Sequence, residues 1–248
     1  MNLAPDPLRE ELASLAAGAG AGSVLFSRGM LGAWGVELAR EAAAEAGVSV
    51  ALWGGAQRTS RVAAAFHVGE PPSPGGFPLV CLKAVFVNPY VEDRLRVILR
   101  ALRDAGVEDD AVGDLFEANG DWSIFLRIPG DDLQFVPLDS REVRFEPHTR
   151  PWPEPALRQS RVVNSTVSSL RVDSLLSAAF KPSRSQMSKL AEAALVFING
   201  RRISKKNVFL KEGDRAVARG YGALNVLAVS GETRKGRKRV SIEVFLER

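Results

Sequence analysis

The chain has 248 residues, 46% of them hydrophobic, which is more length than one core usually serves and enough apolar material for two or three compact units. A soluble globular protein is expected: no run of eighteen apolar residues offers a membrane span, and the single cysteine, Cys81, excludes a disulfide framework within the chain. The net charge of +4 hides an asymmetry, because residues 157–248 carry 19 Lys/Arg against 7 Asp/Glu, net +12, and residues 1–156 carry 14 against 22, net −8. A basic excess of that size on about ninety residues is the footprint of a protein that meets a polyanion, RNA or DNA ahead of an anionic membrane.

The start, MNLAPDPLREEL, has acids where a secretory signal needs a basic region and an apolar stretch, so a cytoplasmic location is expected. Residues 1–72 are read as a small α/β domain: a helix over Leu8–Ala17, a strand at SVLF, a helix over Leu31–Ala46 and a strand at VSVALW. GAGAG at 18–22 follows a helix and precedes a strand, the reverse of a nucleotide-binding glycine loop, and is read as a connection. GEPPSPGGFP at 69–78 then breaks the pattern.

Residues 77–147 begin with the strand LVCLKAVFV, in which Cys81 reads as an inert buried thiol. An amphipathic helix follows, with Val91, Leu95, Ile98, Leu99 and Leu102 on one side and its close at Gly106. Asn119-Gly120 marks a hairpin, and REVRF is a last strand. With a helix at 133–139 the order becomes β-α-β-β-α-β, the ferredoxin-like arrangement also used by RNA-recognition domains; Pro137 argues against that helix. Trp122 and Phe125 could stack bases, but packing is the better reading without an RNA-recognition consensus around them. A second proline-rich break opens a linker over 148–167.

Residues 168–248 hold the basic excess. Val172, Leu175, Leu176 and Ala179 recur at helical spacing, as do Met187, Leu190, Ala191 and Ala194, so two short helices bury one stripe each. Arg171 and Ser174 then lie on one outer face, and Arg184, Ser185, Ser188 and Lys189 on the other, all outside the core, with Lys181 in the turn. Ser183 with Gln186 fits a capping box, which starts the second helix just after Pro182 and leaves its free backbone N–H groups beside Arg184 and Ser185, a natural place for a phosphate. Asn199-Gly200 and KEGD are read as turns. Arg201, Arg202, Lys205 and Lys206 extend the cationic surface, and ETRKGRKRV is a hairpin whose loop holds Arg234, Lys235, Arg237, Lys238 and Arg239, suited to a phosphate backbone rather than to base edges.

SSLRVDSLLSAAFKPSRSQ, LVFING and LKEGD together resemble the RNA-binding domain named after ribosomal protein S-four, with its R-L-D, S-R, V-N-G and G-D pattern. VSSLRVDSLLSAAF, ARGYG with Arg219, ETRKGRKRV and, in the middle segment, GVEDDAVGDLFEANGDWSIFL are more closely similar to the YlmH family, over most of 77–248 and more weakly over 1–70. The resemblance implies an α+β protein with a ribosome-associated RNA-binding role: engagement of ribosomal RNA and peptidyl-tRNA on the large ribosomal subunit, in quality control of stalled nascent chains, with a link to cell division by operon context. Carried over by residue, the RNA-facing positions are Arg171, Ser183, Arg184, Ser185, Lys189, Asn199 and Gly200. The chain departs from the family at Ala194, where a glycine usually closes the second helix, and at Leu195 and Ala223, where basic residues are common, so that helix is expected to end without a left-handed residue.

Three functions compete. An RNA-modifying enzyme, of the pseudouridine synthase or methyltransferase type, needs a catalytic site, and with two histidines and one cysteine neither a metal cluster nor a nucleophile–base pair stands out. A general electrostatic binder of nucleic acid or membrane surface would bind any polyanion. The preferred expectation is a non-catalytic binder of structured RNA, rRNA or tRNA, with no cofactor, no metal and no membrane. The acidic N-terminal part is left to a protein partner or to orienting the molecule away from RNA.

Overall fold

The structure, a computed structural model, describes residues 6–118, 120–128, 140–155 and 160–246. Its contacts gather the chain into two compact units, one of Pro7–Leu31 and Ala42–Arg158, the other of Met1–Asp6, Gly32–Glu41 and Gln159–Arg248. Helix and strand are mixed throughout in an α+β arrangement. No described helix is long and apolar enough to cross a membrane.

The chain opens with helix α1 (Pro7–Gly18), strand β1 (Leu25–Phe26) and helix α2 (Ala33–Ala46), the last shared between the two units. Strands β2 (Ser49–Trp53) and β3 (Ala63–His67) follow, and the sheet order is β1-β3-β2 with every pair antiparallel. Helices and strands mix here as expected, with the strands antiparallel. Strand β3, AAAFH, sits between the other two with all five residues buried, and its alanines carry no strand signature in the sequence.

A single 3-10 turn at Pro74–Gly76 leads to β4 (Leu79–Phe86), α3 (Arg94–Asp104), β5 (Val112–Ala118), β6 (Asp121–Arg127) and β7 (Val143–Pro147). The Asp93 side chain caps α3 by accepting from the backbone N–H of Arg96 at 3.1 Å, and Gly106 at φ +83° lies just past the helix end. The sheet order β5-β6-β4-β7, antiparallel throughout, is that of a split β-α-β unit. The second helix expected at 133–139 lies outside the described residues.

One face of this sheet packs on α3 through Leu82, Ile124, Leu126 and Phe145. The other face is not an open platform for bases. Phe125 is fully buried, its ring 5.8 Å from that of Trp152 and 5.4 Å from that of Phe116. Gly55 lies against it at φ +101°, where a Cβ would come within 2.4 Å of Phe125 Cδ1. Trp122 packs against the α3 core. The proline-rich stretch after β7 is tied down here: the Trp152 indole N–H donates to the His148 carbonyl at 3.2 Å, and Glu154 accepts from the Gln57 backbone N–H.

The second unit holds β8 (Arg161–Val167), α4 (Val172–Phe180), α5 (Arg184–Glu192), β9 (Val196–Ile198), β10 (Arg201–Ile203), β11 (Arg215–Ala218), β12 (Gly222–Glu232) and β13 (Lys238–Leu246). They form one antiparallel sheet in the order β10-β9-β11-β12-β13-β8. Residues 161–167, expected as the end of a linker, are thus a strand, paired with β13 from Arg161↔Val244 to Val167↔Lys238. Alternation explains it: Val163, Ser165 and Val167 turn inward while Val162 and Asn164 face out. The core under the sheet is built from Val172, Leu175, Leu176, Ala179, Met187 and Ala191 of the helices with Val196, Leu224, Ile242 and Val244 of the strands.

Candidate nucleic-acid interface

The site is built around an acid. Asp173, in the first turn of α4, is buried, with 3% of its side chain exposed. A carboxylate placed there needs partners for its oxygens, and it has four. Arg171 grips it with both Nε and Nη2, at 3.1 and 3.2 Å; Arg184 Nε donates to Oδ2 at 2.9 Å; Ser188 Oγ donates at 3.0 Å; and the Ser174 backbone N–H donates to Oδ1 at 3.0 Å. Burial alone would raise the Asp173 pKa, but the hydrogen bonds from Arg184, Arg171 and Ser188 outweigh it and hold the carboxyl below its ordinary range. The two arginines therefore turn one edge each to the same anion.

The neighbouring backbone fixes this geometry. Lys181 ends α4 in the left-handed conformation at φ +75°, and Ser177 Oγ donates to the Pro182 carbonyl at 2.8 Å. Ser183 then caps α5 in the expected box: its Oγ accepts from the Gln186 N–H at 3.2 Å, and Gln186 Oε1 accepts from the Ser183 N–H at 2.9 Å. Arg184, Ser185 and Lys189 are all on the surface of α5, whereas Ser174, expected on an outer face, is buried beside Ser169. Arg184 is held more firmly than a free surface cation, since its Nη1 also donates to Ser168 Oγ at 3.3 Å. The helix does end in a left-handed residue, against expectation: Ala194 itself adopts φ +56°.

The β12–β13 hairpin meets the same end of the sheet. Lys238 stands opposite Val167 in register, Arg237 donates to the Thr166 carbonyl, and the residue just past β8, Ser168, is the one that holds Arg184. The turn closes through Thr233 N–H to the Arg237 carbonyl at 2.8 Å, with Gly236 at φ +70°, and presents Arg234 and Lys235 to solvent. Lys238 pairs with Glu232. Arg171, Arg184, Arg237 and Lys238 are thereby brought together.

The other expected residues lie toward the opposite edge of the sheet, at β10. Asn199 and Gly200, at φ +49° and +77°, form the two-residue turn between β9 and β10; the Asn199 side chain is tied to Asp214 at 2.9 Å and to the Arg215 N–H at 2.9 Å. Arg202 pairs with Glu41 at 2.6 Å, donates to the Ala194 carbonyl at 3.1 Å, and lies over the rings of Phe197 and Trp34 at 4.8 and 5.4 Å. Lys206 pairs with Glu192 at 2.7 Å and Arg219 with Asp6 at 3.3 Å, while Arg201 and Lys205 are exposed. Helix α5 connects the two groups, running about 13 Å from Arg184 at one end to Glu192 at the other.

Sequence reasoning assigned no role to Asp173, Ser168 or Ser188. The available signal was an acid inside an apolar stripe, between Val172 and Leu175, two residues after a cation. It also found no nucleophile–base pair, and the structure contains one by distance: Ser123 Oγ is 3.1 Å from His148 Nε2. Ser123 is fully buried. Among the described residues no cluster of three or more His, Cys, Asp or Glu could hold a metal.

The S4 domain family matches residues 170–215, which span the Asp173 cluster, α5, the Asn199-Gly200 turn and β10. The chain is 24% identical over 210 residues to a protein of Bacillus subtilis (strain 168) named Ribosome-associated protein quality control protein P2, covering 80% of this chain and 79% of that one. Among solved structures it is similar to Cell division protein ylmH from Streptococcus pneumoniae, with 13% identity, a TM-score of 0.43, and coverage of 60% of this chain and 96% of that one. Residues 170–215 are an S4 domain, in a chain that is similar along 80% of its length to the Bacillus subtilis Ribosome-associated protein quality control protein P2.

Proposed function

We propose that the chain is a non-catalytic RNA-binding protein of the cytoplasm that grips structured RNA, ribosomal RNA or tRNA on the large ribosomal subunit, in ribosome-associated quality control. The observation that carries this is the pair Arg171 and Arg184, locked by one buried carboxylate beside the cationic β12–β13 hairpin. Guanidinium groups that are already positioned lose little entropy when a phosphate arrives. Lys181, Ser183 and Ser185 surround the N-terminus of α5 and Lys189 stands in its last turn, Arg234, Lys235, Arg237 and Lys238 extend the track along the hairpin, and Asn199, Gly200, Arg201, Lys205, Lys206 and Arg219 supply its outer reach. Arg202, held between an acid and two rings, supports this surface from beneath. The name of the Bacillus subtilis relative supports the ribosomal setting. A protein partner is proposed for the acidic N-terminal part.

A competition assay with the full chain tests this reading. Large ribosomal subunits and folded rRNA should displace a labelled RNA hairpin far better than duplex DNA or anionic vesicles; equal displacement by all four would replace the proposal with a general electrostatic binder. Lys189→Ala should lower the slope of log affinity against log salt by about one without changing the melting profile, because Lys189 is exposed and forms no ion pair with a described residue.

A further inference from the structure

Phe209 is 63% exposed, while the other aromatic rings of the C-terminal segment are engaged: Phe180 with Tyr221, Phe197 with Trp34, and Phe245 beneath the Arg215 guanidinium. Leaving a phenylalanine in water forgoes about 1.5–3 kcal/mol of burial, and its neighbours do not forgo it: Val208 is half-buried and Leu210 fully buried. Alternation along the extended chain aims the ring outward, and no described residue makes a ring or cation–π contact with it.

Its position is set by a β-bridge to Arg171. The flanking hydrogen bonds run from Val172 N–H to the Val208 carbonyl and from Leu210 N–H to the Leu170 carbonyl, both 2.9 Å, so Arg171 and Phe209 form a non-hydrogen-bonded antiparallel pair. In such a pair the two side chains leave the same face with Cβ atoms about 4.5–5.5 Å apart. Arg171 would ordinarily fold onto a ring so close. It does not, because Nε and Nη2 are both committed to Asp173. The carboxylate thus keeps the ring face clear while holding a guanidinium at its edge.

Resting on the RNA-binding reading above, we propose that Phe209 is a stacking shelf for one unpaired nucleobase, beside the Arg171–Asp173 pair that receives the adjoining phosphate. The RNA class this selects carries an unstacked nucleotide, in a bulge, a loop or an end, rather than an uninterrupted duplex. A phenyl ring has a face and no donor, so it takes any base by stacking without reading its edge. A lone ring bordered by Arg171, Asn207 and Lys211 suits a base better than a protein partner, which would require a contiguous apolar patch.

The test uses the full chain and two hairpins of the same stem, one fully paired and one with a single bulged 2-aminopurine. Wild type should prefer the bulged hairpin by about five- to a hundredfold, the range for one base stacked on an aromatic ring, and should quench its fluorescence. Phe209→Ala should lose both the preference and the quenching yet bind the paired hairpin as wild type does and melt unchanged, and Phe209→Trp should restore both. Unchanged preference and quenching in Phe209→Ala would overturn the shelf and leave the ring to a protein contact. A wild type that binds neither hairpin better than duplex DNA would overturn the RNA reading itself.

Discussion

Replacing Asp173 by asparagine keeps the shape and removes the anion. Oδ2 accepts from Arg171, Arg184 and Ser188, and an amide NH2 in its place would face three donors with a fourth. Hydrogen bonds to a charged group contribute about 1.5–3 kcal/mol each, and breaking a buried ion pair costs about 3–5 kcal/mol. The Arg171 and Arg184 side chains are 24% and 44% exposed and can return to water, which places the loss near the lower limit, about 3 kcal/mol. For a unit of about a hundred residues that corresponds to a fall in Tm of about 10–25 °C. Hydrogen exchange of the α4 and α5 amides, with thermal melting of the full chain, reads it directly; a loss below about 1 kcal/mol would refute the role given to this carboxylate. Because its pKa in the folded chain lies below the ordinary value of 3.8, its contribution is complete above about pH 4 and disappears as pH falls through the folded value. Asp173→Asn should lack that part of the acid limb, and an identical limb in both proteins would count equally against the reasoning.

Gly55→Ala should cost about 2–6 kcal/mol, from backbone strain at φ +101° plus the collision with Phe125, measured by urea unfolding on tryptophan fluorescence; Gly22→Ala, at φ +83° with nothing within 4 Å, should cost only the strain, and equal losses would remove the collision from the account. Cys81 is fully buried and its thiol is pushed up to about 12 by that burial, so a disulfide reagent at pH 8 should label it only after unfolding; labelling of the native protein at the unfolded rate would contradict the packing.

Where local chemistry decides structure, the sequence was readable. The Ser183–Gln186 box, the Asn199-Gly200 turn and the two apolar stripes each need only residues three or four apart, and each is present, the second stripe stopping at Ala191 because Ala194 lies beyond the helix end. Strand β3 is not legible in the sequence because AAAFH is a strand by fitting between two others, a property of the sheet and not of alanine. Strand β8 reads as linker in the sequence because its partner, β13, lies some eighty residues away, and only that pairing separates a half-apolar run from a loop. The candidate site divides in the same way. The identity of its cations was visible, but which of them share a place depends on Asp173 and on Ser168, whose partners come together only when α4, α5 and β8 are assembled. For the same reason Arg184, expected to lie free of the core, is half structural, and its removal should affect folding as well as binding.

The acids of the C-terminal unit decide which cations remain available to a phosphate. Lys181, Lys189, Arg201, Lys205, Arg234 and Lys235 form no ion pair with a described residue. Lys206 with Glu192 and Lys238 with Glu232 are exposed on both sides, and such pairs contribute at most about 1 kcal/mol, so a phosphate can displace either acid at little cost. Arg202 is different in kind: its partner Glu41 is only 20% exposed, and two aromatic rings cover the guanidinium. Arg171 and Arg184 occupy a third state, neutralised on one side by an acid that solvent hardly reaches and open on the other. A net charge of +12 is therefore a poor measure of how many phosphates this surface can hold. Substituting an open lysine should change the salt dependence of binding, substituting Arg202 should change stability instead, and only the arginines on Asp173 should change both.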